Sequence, residues 1–547
     1  MPTITFSFED LCKLTGQKLD EKKLTYLLSC AKAELESQLS REVSVKFNDT
    51  NQPYLWSVEG LARLFRGILG KEKGIPKVKT EAPIGKVIVD KRLSSIRPFV
   101  ACFVAKGRKI DDYLLKQLIQ LQEKLAENFG RKRQKISIGV YPLRKITFPV
   151  YFKAASPSEK FVPLDSHSPM SLQQVLERHP KGKEYGHILK GKPFYPVFLD
   201  AKKDILSLAP IINSEETGRV QVGDDSLLFD TTGMDMESVD LVANIFAYAL
   251  ADRGFKIYPL TIEYASKKVT TPSFEVRSIK FNEDDVERLL GIKLKQAELK
   301  VALEKMRYDY SSGKVLIPPY RHDIMHAFDV VEDVGIMYGY DNFKPLPLSS
   351  YTIGGTFEIQ RFIDTIRELW VGLSYQEVLS PVLSSKDLLY DKMNISDLGT
   401  VEIENPMSNT YAGVRSWLMP IMMDVLSRNK HVDFPQRIFE QGIISVRDKE
   451  NVHDQQHLSA VSCHSSAGFT EMKQAVDYLL RMSNIKYSLE ELEMSCFVPG
   501  RAASIMVDNK NVGFFGELHP AVLEHFGLEL PVSGCELNLS VLFECKK

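Results

Sequence analysis

Eight residues at the start of the chain return 275 positions further on: Ile4, Phe6, Asp10, Leu14, Gly16, Lys18, Leu19 and Leu24 match Ile279, Phe281, Asp285, Leu289, Gly291, Lys293, Leu294 and Leu299. Self-similarity at a fixed offset marks one supersecondary unit used twice. Each copy reads as a strand, a short helix ended by Gly16 or Gly291 as its C-cap, and a second helix. Both copies then carry a Pro-Tyr pair ahead of an amphipathic helix. In the first this is PYLWSVEGLARLFRGILG, with Pro53 and Tyr54; in the second it is IPPYRHDIMHAFDVVEDVGIMYGYDNF, from Ile317 to Phe343. Any fold for this chain must therefore hold two small modules of the same kind, with something large between them.

Segments rich in Pro, Gly and Lys at Gly70 to Gly85, Lys267 to Pro272 and Lys344 to Gly355 read as linkers. They divide the chain into an N-terminal α/β module (1–85), a strand-rich mixed α/β region (86–270), a second small module with an acidic helix (271–350) and a last piece (351–547). VIVD, FVACFVA, KISIGVY and YPVFLD are the candidate strands of the second region. In the last piece helical and strand patterns alternate, which predicts an antiparallel sheet with helices. The fold class expected is multidomain α+β.

Composition narrows the function classes. With 547 residues, 44% hydrophobic and 26% charged, the chain can bury several cores. Its longest near-apolar run, Leu241 to Ala251, is shorter than the roughly 20 residues of a membrane helix, and MPTITFSFED lacks a signal pattern. A cytoplasmic, membrane-free protein is expected. Seven scattered cysteines without a C-x-x-C pair point to reduced thiols, not to a disulfide framework or a zinc site. A net charge of −1 excludes a general nucleic-acid coat, so RNA would meet local basic patches at Arg131 to Lys135 and Lys71 to Lys79.

A helix beginning just after Asp323 would align Ala327, Val330, Val331, Val334, Met337 and Tyr338 in one inward stripe. Asp329, Glu332 and Asp333 are then expected on the opposite side, sharing one surface, with Asp323 at the start of the helix. Two readings stay open. The acids form a solvated face with Asp323 as an N-cap, or their mutual repulsion is relieved by a cation. Carboxylate oxygens suit Mg2+.

The combination of PPYR-x-D-I, D-x-x-E-D and YGYDN resembles the signature of the phenylalanyl-tRNA synthetase β subunit. NDTNQPYLWSVEGLARLFRG (Asn48 to Gly67), IRPFVACFVAKG (Ile96 to Gly107), LQEKLAENFGRKR (Leu121 to Arg133), and VPGRAASI followed by GFFGELHPAVLEHFGL extend that resemblance over almost the whole chain. Length and the RPFVACFV and RKR segments are similar to the archaeal and eukaryotic type. The resemblance implies an (αβ)2 heterotetramer with an α subunit, binding of tRNA(Phe), and ATP-dependent attachment of phenylalanine. It also implies a Mg2+ shared with the α subunit at Asp323, Asp329, Glu332 and Asp333, and a proofreading domain within 86–270 that hydrolyses mischarged Tyr-tRNA(Phe).

FPQRIFEQGIISV (Phe434 to Val446) resembles the class II synthetase motif in which Arg-x-Glu clamps ATP, but the spacing here is Arg437-x-x-Glu440. Nor does 350–547 contain a Gly-rich strand leading into the second nucleotide-binding Arg. Without those guanidinium groups charge at the α-phosphate has no stabiliser, so the resemblance implies a class II-like domain that does not adenylate, with the adenylation site on the α subunit.

A hydrophobic pocket rejects an analogue that merely adds a hydroxyl by only about a hundredfold, so a phenylalanine enzyme benefits from a second, hydrolytic site. The loops PIINSEETGRV (Pro210 to Val220) and LFDTTGMD (Leu228 to Asp235) concentrate small polar groups. Asn213, Ser214, Asp230, Thr232 and Asp235 are the residues expected to orient a tyrosine hydroxyl and a water; turn residues satisfying their own backbone are the other reading. Asp230-Thr231-Thr232-Gly233 is not an aspartic protease motif, since a Thr intervenes and no second copy exists. Gly186-x4-Gly191-Lys192 is followed by Pro193 where a P-loop needs Ser or Thr. The competing functions are a non-catalytic RNA-binding scaffold and a free-standing aminoacyl-tRNA hydrolase.

Overall fold

The repeat is visible in three dimensions. In the computed structural model, which describes residues 1–39 and 42–546, the first copy runs through the strand Thr3–Ser7, the helices Phe8–Thr15 and Glu21–Cys30, and the strands Ala33–Leu39 and Glu42–Phe47. The second runs through Arg277–Lys280, Asp284–Leu290, Gln296–Lys305, Asp309–Ser311 and Lys314–Ile317 in the same order. Each makes a three-stranded sheet with the last strand in the middle. Gly16 and Gly291 end their helices at φ 65° and φ 68°, the left-handed conformation in which a Cβ is strained. The repeated tyrosines face each other, Tyr54 and Tyr320 lying 5.1 Å apart between ring centroids. Arg63 lies over the Tyr320 and Tyr248 rings, at 4.8 and 5.1 Å.

Contacts divide the chain into Met1–Leu346 and Pro347–Lys547. Two of the three expected linkers are built into the first unit. Gly74 and Ile75 donate backbone N–H groups to the Glu304 carbonyl and the Asp309 carboxylate, each at 3.1 Å, and Glu81 N–H reaches the Ile257 carbonyl. Lys268–Thr271 is a strand paired with Lys256–Glu263. The reason is that Pro, Gly and Lys signal the lack of a regular helix, not the lack of partners.

The region between the copies is one mixed sheet. Its strands run in the order Ile212–Asn213, Ile205–Leu208, Tyr195–Leu199, Val150–Ala155, Lys86–Val89, Lys256–Glu263, Phe99–Lys106, Ser226–Gly233 and Ile136–Pro142. The four strands expected from sequence are all present. The buried helix Met236–Asp252 packs on the Phe99–Lys106 and Ser226–Gly233 strands. The sheet curls until its two edges meet, with the Asn213 side-chain amide donating to the Val140 carbonyl at 3.1 Å. It is nearly a barrel, and the seam is where side chains replace backbone pairing.

The second unit holds a seven-stranded sheet, antiparallel except for its first pair. Glu358–Gly372, Phe469–Met482 and Leu539–Lys546 cover one face and Met419–Arg428 the other. The chain is thus multidomain α+β. All seven cysteines are free, and five are buried. Among the described residues no helix is long and apolar enough to cross a membrane.

Candidate functional site

The seam of the near-barrel opens into a cavity of about 430 Å³. Leu115, Leu118, Ile138, Val140, Leu208 and Ile212 supply apolar wall, and Ser207, Tyr141 and Asp230 supply polar groups. These three come from different strands. Asp230 sits in Ser226–Gly233, directly opposite Gly139 of Ile136–Pro142. Tyr141 O–H donates to Asp230 Oδ2 at 2.5 Å, and its oxygen is 2.8 Å from Ser207 Oγ across the seam. Gly139 makes room for them: a Cβ there would lie 2.0 Å from Asp230 Oδ2 and 2.3 Å from the Tyr141 oxygen.

Asp230 is 4% exposed. Burial pushes its carboxyl up to about 7, against the pull of the Tyr141 hydrogen bond and the Arg97 charge. A buried carboxylate poised near neutrality beside a cavity can accept a hydrogen bond from a ligand hydroxyl. At the rim stand Arg133, Lys181 and Arg219. Arg133 donates to the Pro210 and Ile211 carbonyls at 3.2 and 2.8 Å and stacks on Tyr185 at 4.1 Å. It belongs to the wall and is not free for an RNA backbone, whereas Arg131 and Lys132 of the same basic patch are exposed. Arg131, Lys132 and Arg133 all have φ between 50° and 66°, a left-handed run that costs about 1–2 kcal/mol per residue. Such strain accumulates at functional sites.

The five expected residues separate. Asn213 and Asp230 line the cavity together. Thr232 lies behind it, fully buried, its hydroxyl engaged by Arg97 and Ser137. Ser214 lines a different cavity, of about 760 Å³, and stands at the start of the Glu215–Gly218 helix. Asp235 caps the Met236–Asp252 helix by accepting from Ser238 N–H at 2.7 Å. Tyr141, Ser207, Gly139 and Arg97 had no local signal, since strand pairing far along the chain brings them here.

The acidic helix also differs from expectation. It spans Ala327–Tyr338 with His326 as N-cap, not Asp323, and the four carboxylates do not share one surface. Asp333 stands only about 60° around the helix from Val330, and it points inward with 2% exposure. Arg321 lies between two of the acids, bonded to Asp323 and to Asp333 Oδ2 (2.7 Å), while Tyr308 donates to the same Asp333 oxygen. Burial alone would push Asp323 up; Arg321 overrides it and holds this carboxyl below its usual range. Burial pushes Asp333 up. Asp329 accepts the Met325 and His326 backbone N–H groups, at 2.8 and 2.7 Å. Glu332 pairs at 2.7 Å with Lys32 of the first copy. The repulsion is thus relieved by cations and backbone amides of this chain, and among the described residues no group of three or more His, Cys, Asp or Glu could hold a metal ion. The quartet does not fit a Mg2+ site within this chain.

In the second unit Arg437 and Glu440 are three residues apart on the strand Gln436–Asp448, so they point to opposite faces. Arg437 pairs with Glu471 at 3.0 Å, and Glu440 is buried against Arg415 and Ser380. They form no common clamp.

Comparison with known proteins agrees with the architecture. Residues 279–340 match the tRNA synthetase B5 domain and residues 344–539 the phenylalanyl tRNA synthetase beta chain CLM domain. The phenylalanine–tRNA ligase beta subunit of Pyrococcus furiosus is 39% identical over 99% of this chain and 100% of its own length. That of Archaeoglobus fulgidus is 38% identical over 100% and 99%. The crystal structure of an N-terminal fragment of the phenylalanyl-tRNA synthetase beta subunit from Pyrococcus horikoshii, 40% identical, superposes with a TM-score of 0.60 over 62% of this chain and 100% of that one. End-to-end similarity at this level, with both domains in place, shows that the chain belongs to the phenylalanine–tRNA ligase beta subunit family, of archaeal type.

Proposed function

We propose that this chain works in the cytoplasm as the tRNA-binding and proofreading subunit of an (αβ)2 phenylalanine–tRNA ligase, and that the cavity at the barrel seam hydrolyses Tyr-tRNA(Phe). The observation that carries the reading is the Tyr141–Asp230 pair in a cavity walled largely by aliphatic side chains. An aromatic ring fits the aliphatic walls, and a phenol hydroxyl reaching the Asp230 carboxylate completes its hydrogen bonding. Phenylalanine leaves that buried acceptor unmatched, and a site built around a substrate hydroxyl discriminates by about 10⁴ or more. Tyrosine is therefore held and phenylalanine released. Hydrolysis follows from orientation: the ester carbonyl is held near the rim, where water enters.

ATP-dependent activation belongs, in this reading, to the α chain, along with any Mg2+ bound with ATP. The opposed faces of Arg437 and Glu440 support this, because the two are held by other partners and do not act together as a clamp. The test is co-expression with an α chain. The pair should co-purify and charge tRNA(Phe) with phenylalanine, and neither chain should do so alone. A free chain that is monomeric and fully active in deacylation would favour the free-standing hydrolase instead.

A further inference from the structure

Arg97 is 1% exposed, and its four hydrogen bonds all go to neutral oxygens. Nε donates to Thr232 Oγ1 at 2.7 Å; one terminal nitrogen donates to the Thr232 carbonyl at 2.8 Å and to Ser137 Oγ at 3.0 Å; the other reaches the Gln134 carbonyl at 3.5 Å. Ser137 and Thr232 hydroxyls are 2.9 Å apart, and Ser137 lines the cavity. A buried guanidinium without a carboxylate in contact is a costly arrangement, and it persists where a negative charge nearby compensates it. Burial lowers Arg97 to about 9, so it stays a cation at neutral pH, and the charge acting on it is Asp230, two residues from Thr232 on the same strand face. The cavity, the hydroxyl pair and the guanidinium thus form three layers, with Arg97 last.

We propose that Arg97 is a positioning residue for this cavity: from behind its floor it fixes the Ser137–Thr232 hydroxyl pair and keeps the Asp230 carboxyl in the ionised, accepting form. The inference rests on the proofreading reading above. Tyr141 shares this work, its hydrogen bond favouring the carboxylate more than Arg97 does, and Arg97 adds the positive charge that a phenol lacks. Tyr141, on Ile136–Pro142, donates one neutral hydrogen bond; Cys102, on Phe99–Lys106, is held protonated by burial; Ile205–Leu208 contributes only the Ser207 hydroxyl. Arg133, Asp165, Lys181 and Arg219 lie along the wider lining, where their charges are tied to carbonyls, to one another or to a neighbouring acid, and the His179 ring is bonded to the Leu164 carbonyl.

The experiment uses the assembled α and β enzyme and measures deacylation of Tyr-tRNA(Phe) and Phe-tRNA(Phe) from pH 5.5 to 8.5, with uncatalysed hydrolysis subtracted. Arg97→Met should move the acid limb of the Tyr-tRNA kcat/KM profile upward by about one unit or more, costing about tenfold at neutral pH. Raising the pH should restore the activity, and Arg97→Lys, which keeps the charge, should lie between Met and the parent. An unshifted limb in a folded Arg97→Met enzyme overturns the proposal. So does a loss that neither high pH nor Lys restores, which would make Arg97 structural only. Should Arg97→Met fail to fold, the Arg97→Lys profile alone decides: a limb displaced by less than about half a unit at reduced kcat counts against the proposal. A parent enzyme that leaves Tyr-tRNA intact removes the proofreading reading itself, which is a different result.

Discussion

Among its described residues the first unit contains two buried tyrosine–aspartate pairs, Tyr141–Asp230 at the barrel seam and Tyr308–Asp333 in the second module. Both aspartates are almost fully covered, and both accept a phenol O–H. They differ in what else is in reach. Asp333 is touched by Arg321, which also holds Asp323. Asp230 has no guanidinium in contact, faces a cavity, and titrates near neutrality. Direct pairing makes a carboxylate a structural joint; a guanidinium one layer back leaves it an acceptor for something that enters.

Removing the cation should separate the two sharply. Arg321→Met leaves Asp323 and Asp333 buried without their partner and is expected to cost about 3–5 kcal/mol of the first unit's stability in urea unfolding. A cost below about 1 kcal/mol would place Arg321 among ordinary surface pairs and erase the contrast.

Asp230→Asn should behave in the opposite sense. The folded pKa of Asp230 is raised, so its protonated form favours folding below the unfolded value near 4, and that contribution is lost as pH rises through about 7. Parent stability should therefore fall relative to the Asn variant between about pH 4 and 7, by a few kcal/mol at most. Urea midpoints across that range check the sign; a parent that gains on the variant as pH rises would show Asp230 to be paired.

Lys32→Met gives the smallest effect. Its partner Glu332 is 48% exposed, and pairs of this kind contribute about 0–1 kcal/mol. Adding Mg2+ to the free chain should leave the melting temperature of either protein unchanged, since Arg321, Lys32 and the Met325 and His326 amides already occupy the quartet.

These differences explain what could be read from the sequence and what could not. The repeat was legible because its pattern is local: Gly16 and Gly291 mark helix ends, and alternating apolar residues mark strands. Asp230 and Asn213 were legible as small polar residues, although the structure places both inside strands and not in the loops after them. The rest of the site depends on pairing across long separations. Nothing near Tyr141 indicates Ser207, 66 residues away, or that Gly139 must stay bare beneath Asp230. The acidic helix failed in a related way. Its period gave the inward stripe correctly, but Asp333 borders that stripe, and only Tyr308 and Arg321, delivered by other elements, make it a buried joint. Cap residues such as Asp235 carry the same composition as ligand-binding ones, so local polarity could not tell them apart.

The central claim is that the Asp230 carboxylate at the barrel seam reads a phenol hydroxyl. Its most direct test is the deacylation rate of Tyr-tRNA(Phe) by the assembled enzyme, compared between the parent and Asp230→Asn, with phenylalanine charging as the control. The account predicts that deacylation falls by about a hundredfold or more while charging is unchanged. Equal deacylation by parent and variant would contradict it.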